Sequence, residues 1–253
     1  MPTTITVVGG CLTQQGNLPA AALYHQLLLA HLAAAGHPAR LAVVRYERLA
    51  TCLAKVQVHE AASPSDWLIF HLRTEPLLRL IKLVYRHHDP TVGRARYVLN
   101  LPGQRGAARH EPLLDRPVAG RAASVTDYHS PPAPRPAREL NAWLGALAGN
   151  RRRTAEAAFA LLDALAVHAA ATGSRLVVVG PPARPASRFE DALARHLDHR
   201  AAAWAPAAGA IYLPLRGEDG ADGAPFFGPN GVHVSAAGHA RIARLLAGVL
   251  GAA

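Results

Sequence analysis

Short apolar stretches alternate with longer amphipathic ones along most of the chain. Five stretches of strand-forming residues are bounded by turn residues: TITVVG at 4–9, ARLAVVRY at 39–46, DWLIFHL at 66–72, SRLVVVGPP at 174–182 and GAIYLPL at 209–215. Nearly continuous apolar character is typical of parallel strands, because helices cover both faces of a parallel sheet. The pattern therefore predicts five buried, parallel strands.

Three further stretches have the spacing of helices. The first covers 19–36, with Pro19 in its first turn and Gly36 at its end, and the others cover 154–173 and 235–250. Proline near the start and glycine after the end are typical of helices. Strands alternating with helices predict a three-layer α/β/α fold with a parallel, flavodoxin-like five-stranded sheet, formed by residues 1–253 as one domain.

Residues 86–138 interrupt this alternation. They contain RHHDP, NLPGQRG and SPPAPRPAR, with ARYVLNL (95–101) as a further predicted strand. The stretch lacks the apolar periodicity of a separate core, so we interpret it as a loop-rich insertion in the single domain. Long connections in α/β proteins usually carry function, and we expect this one to cover the site as a lid or wall.

The charge of the chain narrows the classes of partner. The net charge is +10, and 25 of the 27 basic residues are arginines, scattered apart from NRRRT at 150–154, where we expect a solvated helix start. Aromatic residues make up 6%, and no zinc or RNA-binding motif occurs, so we expect no nucleic-acid partner. A basic surface instead favours an anionic small molecule or carrier protein.

The sequence contains few features that indicate cellular location or redox chemistry. The first ten residues have neither the basic nor the apolar region of a signal peptide, and no apolar run resembles a membrane span. We therefore expect a cytoplasmic protein without a membrane partner. Of the two cysteines, Cys52 is expected to be structural, whereas Cys11 follows the first strand, where parallel sheets present their sites.

The segment FFGPNGVHVSAAGHARIARLL (226–246) is the most informative part of the chain. It resembles the last block of the SGNH/GDSL hydrolase family, in which Asp-x-x-His precedes a helix beginning Ser/Thr-x-x-Gly-His. Asn230 stands at the aspartate position of that block, His233 at the catalytic histidine, and Ser235 begins the helix. We expect His239, inside this helix, to pack rather than to take part in chemistry.

Two other blocks of the family are matched more loosely. Gly9-Gly10-Cys11 occupies the place of the family's Gly-Asp-Ser, and DWLIFHLRTEP (66–76) aligns with its third block, with Arg73 at the glycine and Glu75 at the asparagine. The resemblance implies that Cys11 replaces the nucleophilic serine. It also implies that Gly10, Arg73 and Glu75 line the oxyanion or substrate side of the site. We expect Gln14 on the same side, because it follows Cys11 in the loop after the first strand.

The two departures at the catalytic positions fit each other chemically. A cysteine thiol is far more acidic than a serine hydroxyl, so a neighbouring histidine deprotonates it without a carboxylate behind the ring. Asn230 can orient that ring through its amide oxygen, as in Cys-His-Asn enzymes on other folds. Glu75 stands where the family has an oxyanion donor, and an ionised carboxylate cannot donate a hydrogen bond.

The resemblance implies an acyl-transfer enzyme, either an acyltransferase or a hydrolase/thioesterase, which forms an acyl-thioester on Cys11. No cofactor is expected beyond coenzyme A or an acyl carrier protein as donor, and the HHD at 87–89 is too isolated to predict a metal. The alternative is a catalytically inactive binding protein of the same fold for a small polar or CoA-type ligand.

Overall fold

Five parallel strands form the central sheet of the computed structural model, as predicted, and a separate two-stranded hairpin accompanies it. The strands are β1 (Thr3–Gly9), β2 (Ala39–Arg45), β3 (Trp67–His71), β4 (Val84–Asp89), β5 (Arg94–Leu99), β6 (Arg175–Val179) and β7 (Ile211–Leu213). The structure describes residues 2–9, 18–46, 49–74, 84–89, 94–99, 136, 139–140, 142–144, 151–184, 187–216, 225–228 and 233–251.

The strand order in the sheet is β2-β1-β3-β6-β7. Val7 in β1 lies in register with Val43 in β2 and Ile69 in β3. The chain thus leaves β1 for one neighbour and later returns on its other side. This reversal makes the gap between the carboxyl ends of β1 and β3 the topological switch point, where doubly wound sheets bind their ligands.

Helices cover both faces of the sheet. They are α1 (Tyr24–Ala34), α2 (Leu49–Ala62), α3 (Arg151–Thr172), α4 (Arg188–Trp204) and α5 (Ala236–Gly251). One core cluster packs α1 and α5 against Val7 and Ile69, and the other packs α2, α3 and α4 against Leu68 and Phe70. Alternate strand residues therefore face opposite cores, which explains the continuous apolar character of the strands.

Two helices were not predicted from the pattern. In α2 the buried residues are Cys52, Val56 and Glu60, a stripe only one side chain wide that ends in a carboxylate. In α4 they are Ala194, Leu197 and Ala201, two of which are alanines with little apolar signal. The helix α2 has a weak apolar period, whereas α4 is amphipathic but has few large apolar residues, and packing on the sheet stabilises both.

The helix α3 has the length and composition of a membrane span over Arg152–Thr172, although no run of this kind was expected from the sequence. In the fold it is a core helix, since Phe159, Leu162 and Leu165 are buried against the sheet. Its start at Arg151, with Arg152 and Arg153 exposed, agrees with the solvated helix start expected there.

The antiparallel pair β4–β5 lies at the beginning of the loop-rich insertion. Its second strand was predicted, while its first, which contains the HHD motif, was not. Most of residues 86–138 lie outside the described residues, so their role as a lid over the site stays a prediction.

Candidate functional site

The described residues include two of the predicted site residues, Arg73 and His233. The others lie outside the described residues; they are Gly10, Cys11, Gln14, Glu75 and Asn230. Their positions along the chain are nevertheless informative. Gly10 and Cys11 follow Gly9, the last residue of β1, and Glu75 follows the described segment after β3.

Arg73 lies at the switch point. It follows β3 by two residues, its side chain is buried, and its guanidinium lies 4.9 Å from the centre of the Tyr46 ring. The Tyr46 N–H donates to the carbonyl of Gly9 at 3.4 Å, and its ring stacks on Phe70 at 5.9 Å. Arg73 therefore carries a positive charge to the point where the chain leaves β1, held by a cation–π contact.

His233 is half-buried in the loop that leads into α5. Its carbonyl accepts a hydrogen bond from the Gly228 N–H at 2.8 Å, and the Ser235 N–H donates to the Phe226 carbonyl at 2.9 Å. Between them, Phe227 and Val234 form an isolated antiparallel bridge. This short pairing with Phe226–Gly228 fixes the backbone from His233 to Ser235.

The start of α5 explains the Ser-x-x-Gly pattern in the sequence. The Ser235 hydroxyl accepts from the Gly238 N–H at 3.0 Å and donates to the Pro225 carbonyl at 2.6 Å. A side chain at Gly238 would begin 2.4 Å from the Phe226 carbonyl oxygen and 2.6 Å from Val234. Serine is thus needed to cap the helix and glycine to let the preceding loop pack against it.

Four aromatic side chains form a buried cluster beneath the carboxyl edge of the sheet. Tyr24 stacks on His239 at 5.9 Å between ring centres, and contacts His25 at 5.5 Å and His71 at 5.0 Å. The prediction that His239 packs within the fold is confirmed, since it is buried and its Nδ1 accepts from the Tyr24 N–H at 3.2 Å.

The other members of the cluster were missed by sequence reasoning. His71 occupies the fifth position of an otherwise apolar strand, which was the one available signal. Burial lowers its pKa to about 3, with further contributions from Arg73 and His239. Burial also lowers the pKa of His239 to about 4, assisted by the charge of His25, so both rings are neutral near pH 7.

The second cysteine is structural, as predicted. Cys52 lies in α2 and is fully buried in the core, and this burial raises the pKa of its thiol to about 12 despite the nearby charges of Arg73 and Lys55. A thiol that stays protonated inside an apolar core is neither nucleophile nor metal ligand.

Two further arginines lie at the carboxyl edge of the sheet: Arg184 follows β6, and Arg216 follows β7. Asp191 in α4 accepts two hydrogen bonds from Arg216, at 2.7 and 3.0 Å, and one from the Arg184 N–H at 2.8 Å. These donors, above all Arg216, hold the pKa of its carboxyl well below the usual range. The Arg184 guanidinium lies 4.8 Å from the Phe227 ring, beside the loop of His233.

A groove of about 430 Å³ lies elsewhere, between α3 and α4. Its lining includes Phe189, Leu193 and the ion pair between Glu156 and Arg200. Neither Arg73 nor His233, the two predicted site residues that the structure describes, lines it, and we do not assign it to the site.

Comparisons with known proteins identify the fold. No family model matches the chain, and no curated protein matches it by sequence. Among solved structures it is similar to TesA, with a TM-score of 0.57 and 14% identity over 98% of both chains. It is also similar to a catalytic mutant of Axe2, an acetylxylan esterase from Geobacillus stearothermophilus, with a TM-score of 0.58 and 11% identity over 97% of this chain and 94% of that one.

A third similar structure is a lipase/acylhydrolase from Enterococcus faecalis, with a TM-score of 0.53 and 12% identity over 98% of this chain and 95% of that one. All three likenesses extend over nearly the full length of both proteins. The chain therefore has the α/β fold of the SGNH hydrolases, as the sequence predicted.

Proposed function

We propose that the protein is an SGNH-like acyl-transfer enzyme with Cys11 as nucleophile, His233 as general base and acid, and Asn230 as the residue that orients the His233 ring. One observation above all supports the proposal: the backbone from His233 to Ser235 pairs with Phe226–Gly228, which fixes His233 directly before α5. Cys11 follows the strand beside the switch point, and this fold is shared with esterases and acyl hydrolases.

In the proposed reaction His233 takes the proton of the Cys11 thiol, and the thiolate attacks the carbonyl carbon of an acyl donor. The tetrahedral intermediate collapses, and the leaving group receives the proton from the imidazolium, which leaves the acyl group on Cys11 as a thioester. His233 then deprotonates the acceptor, which attacks the thioester and releases the thiol. Water as acceptor gives a hydrolase or thioesterase, whereas an amine or alcohol gives an acyltransferase.

The charges at the carboxyl edge support a polar or anionic substrate. We propose that Arg73, together with the backbone at Gly10 and the side chain of Gln14, binds the substrate or the developing oxyanion. Glu75 would hold the Arg73 guanidinium or bind a polar group of the substrate. An arginine in a buried position at the switch point donates stronger hydrogen bonds than one in solvent, because the local dielectric is low.

The decisive experiment is intact-protein mass spectrometry after incubation with activated acyl donors. We expect the mass of one acyl group on the wild-type protein and on Cys52→Ala, and no adduct on Cys11→Ala. Cys11→Ser should react poorly, because a hydroxyl without a carboxylate behind the histidine is weakly activated. His233→Ala should slow adduct formation near neutral pH more than Asn230→Ala does.

A Cys11→Ala protein with full turnover would overturn the proposed mechanism. Absence of any adduct, together with tight binding of an acyl donor that is never consumed, would support the alternative of an inactive binding protein for a small polar or CoA-type ligand.

The class of donor can be tested separately. We propose coenzyme A or an acyl carrier protein thioester as donor, because the chain carries a net charge of +10 and such donors are anionic. The kcat/KM for acetyl-CoA should fall as salt is raised, while that for neutral S-acetyl-N-acetylcysteamine should change little. Equal salt dependence for both donors would contradict an anionic donor without affecting the role of Cys11.

A further inference from the structure

The groove between α3 and α4 has an apolar floor. Ala155 in α3 and Phe189 and Leu193 in α4 line it, and its volume is about 430 Å³. The Arg200 guanidinium in α4 donates to both carboxylate oxygens of Glu156 in α3, at 3.0 and 2.9 Å, and so joins the two helices along the groove. The two helices therefore present a concave, mostly apolar surface to solvent.

Two exposed apolar side chains belong to a segment that is bound to the first turn of α4. The Glu139 carboxylate accepts from the backbone N–H of Phe189 at 3.2 Å, which ties this segment to the helix start. Leu140 and Trp143 follow Glu139 in helical conformation, and each is 52% exposed. Residues three positions apart lie on the same face of a helix. Large apolar side chains left in solvent near an apolar groove are typical of an interaction surface.

Positive charge accompanies this apolar surface. Arg152, which lines the groove, and Arg153 are exposed in the first turn of α3, which contains no acidic residue. Cations at the start of a helix oppose the helix dipole, so these arginines do not stabilise the helix that carries them. Among the described lining residues the carboxylate is that of Glu156, which already binds Arg200. The charge of the surface is therefore complementary to an anionic partner.

The groove lies towards the carboxyl edge of the sheet. The helix α3 ends shortly before the amino end of β6, so its first turns lie towards the opposite edge. The helix α4 also begins at that edge, because Asp191 in its first turn accepts from the N–H of Arg184, in the segment after β6. Ala155 on the floor of the groove belongs to the same core cluster as Leu72, the residue before Arg73. A partner bound in the groove would thus lie at the edge of the sheet that carries Arg73.

We propose that the groove and the exposed side chains beside it form a docking surface for an acidic helix of an acyl carrier protein. The apolar face of that helix fills the groove over Phe189 and Leu193 and covers Trp143, and its carboxylates bind Arg152 and Arg153. A concave surface fits a helix better than a flat lipid bilayer, and tryptophan and arginine dominate the binding energy of protein interfaces. The inference rests on the proposed function, in which a carrier thioester is one class of donor, and it favours the carrier protein over free coenzyme A.

Isothermal titration calorimetry with a holo acyl carrier protein that carries no acyl group measures docking without turnover. Trp143→Ala and Arg152→Glu should each raise the Kd about tenfold. Two matched controls change exposed residues elsewhere: Val167→Ala removes an apolar side chain from a later turn of α3, and Arg40→Glu reverses a charge near the amino end of β2. Neither control should change the Kd more than about twofold. Added salt should weaken binding to the wild type more than binding to Arg152→Glu.

Turnover gives a second measurement of docking. In Trp143→Ala and Arg152→Glu, the ratio of kcat/KM for acetylated carrier protein to that for S-acetyl-N-acetylcysteamine should fall, because the small donor has no helix to dock. The inference is overturned if the carrier protein does not bind the wild type or if neither variant changes the Kd. It is also overturned if the two variants abolish binding to phosphatidylglycerol vesicles but not to the carrier protein, since the surface then binds a membrane. The proposed function fails on a different result, namely turnover by Cys11→Ala, which does not affect the binding comparison.

Discussion

Contacts of three individual residues determine how the loop of His233 joins α5. Gly238 has no side chain, so the Phe226 carbonyl and the Val234 side chain can pack in the space that a Cβ atom would fill. At position 235 one hydroxyl joins the helix start to Pro225. At position 239 one ring nitrogen joins α5 to α1. Three of the five residues from 235 to 239 thus have a specific contact.

Gly238→Ala should lower the free energy of unfolding by about 1–3 kcal/mol, because the new methyl group meets backbone that cannot move without breaking the Phe227–Val234 bridge. Urea unfolding measures this loss. The matched control is Gly248→Ala in the same helix, where a Cβ would have nothing within 4 Å. That variant should be more stable by up to about 1 kcal/mol, since alanine is the better helix former. Equal effects at both positions would contradict the steric account.

The start of α4 is capped by a neighbouring serine and by a carboxylate from a distant part of the chain. The helix α4 begins after Ser187, whose hydroxyl accepts from the Glu190 N–H at 3.1 Å. The Glu139 carboxylate accepts from the backbone N–H groups of Arg188 and Phe189 and from the Ser187 hydroxyl. A negative charge at this position also matches the helix dipole. This cap ties the segment around Glu139 to the main fold.

Ser187→Ala should lower the free energy of unfolding by about 1 kcal/mol, because the Glu190 N–H loses its acceptor and Glu139 loses a donor. Ser187→Thr keeps an oxygen at the cap and should lose less. Chemical denaturation of the three proteins gives the comparison. An alanine variant as stable as the wild type would show that solvent replaces the cap.

The whole molecule should respond to acid through its buried histidines. The pKa values of His71 and His239 in the folded protein are about 3 and about 4, both below the ordinary 6.5. Between these values and pH 6.5 the unfolded chain binds more protons than the folded protein. Stability is therefore fully present above about pH 6.5 and is lost progressively as the pH falls towards 4.

We expect a loss on the order of 3 kcal/mol between pH 6.5 and pH 4.5, measured by urea unfolding at fixed ionic strength. The pKa values of Asp66 and Asp191 are lowered from an ordinary 3.8, so those carboxylates weaken the fold only at still lower pH. His239→Asn should flatten the dependence between pH 6.5 and pH 4.5, since one of the titrating groups is gone. A wild-type stability that does not change over this range would refute the buried, neutral state of the two rings.

Local pattern was sufficient to predict the framework of this protein. The five strands of the sheet were predicted within three residues at either end, since an apolar run bounded by turn residues has few alternatives to a buried strand. The closing helix was predicted from its apolar spacing, and the place of Ser235 at its start from the family resemblance. The helices α2 and α4 were not: the buried stripe of α2 is narrow and ends in Glu60, and α4 is polar overall, with alanines at two of its three buried positions.

The arrangement of the site was decided by tertiary structure. Arg73 was predicted as a site residue from its place in the family's third block. Its contact with the Tyr46 ring depends on the strand order, which places β2 and β3 on either side of β1. Tyr24 and His239 are 215 positions apart, and no local pattern indicates that a histidine in the last helix caps the first. Sequence periodicity reports which residues a single element buries. Which buried residues then meet depends on how the sheet is ordered and how its helices pack, and this is where the polar contacts beneath the site arise.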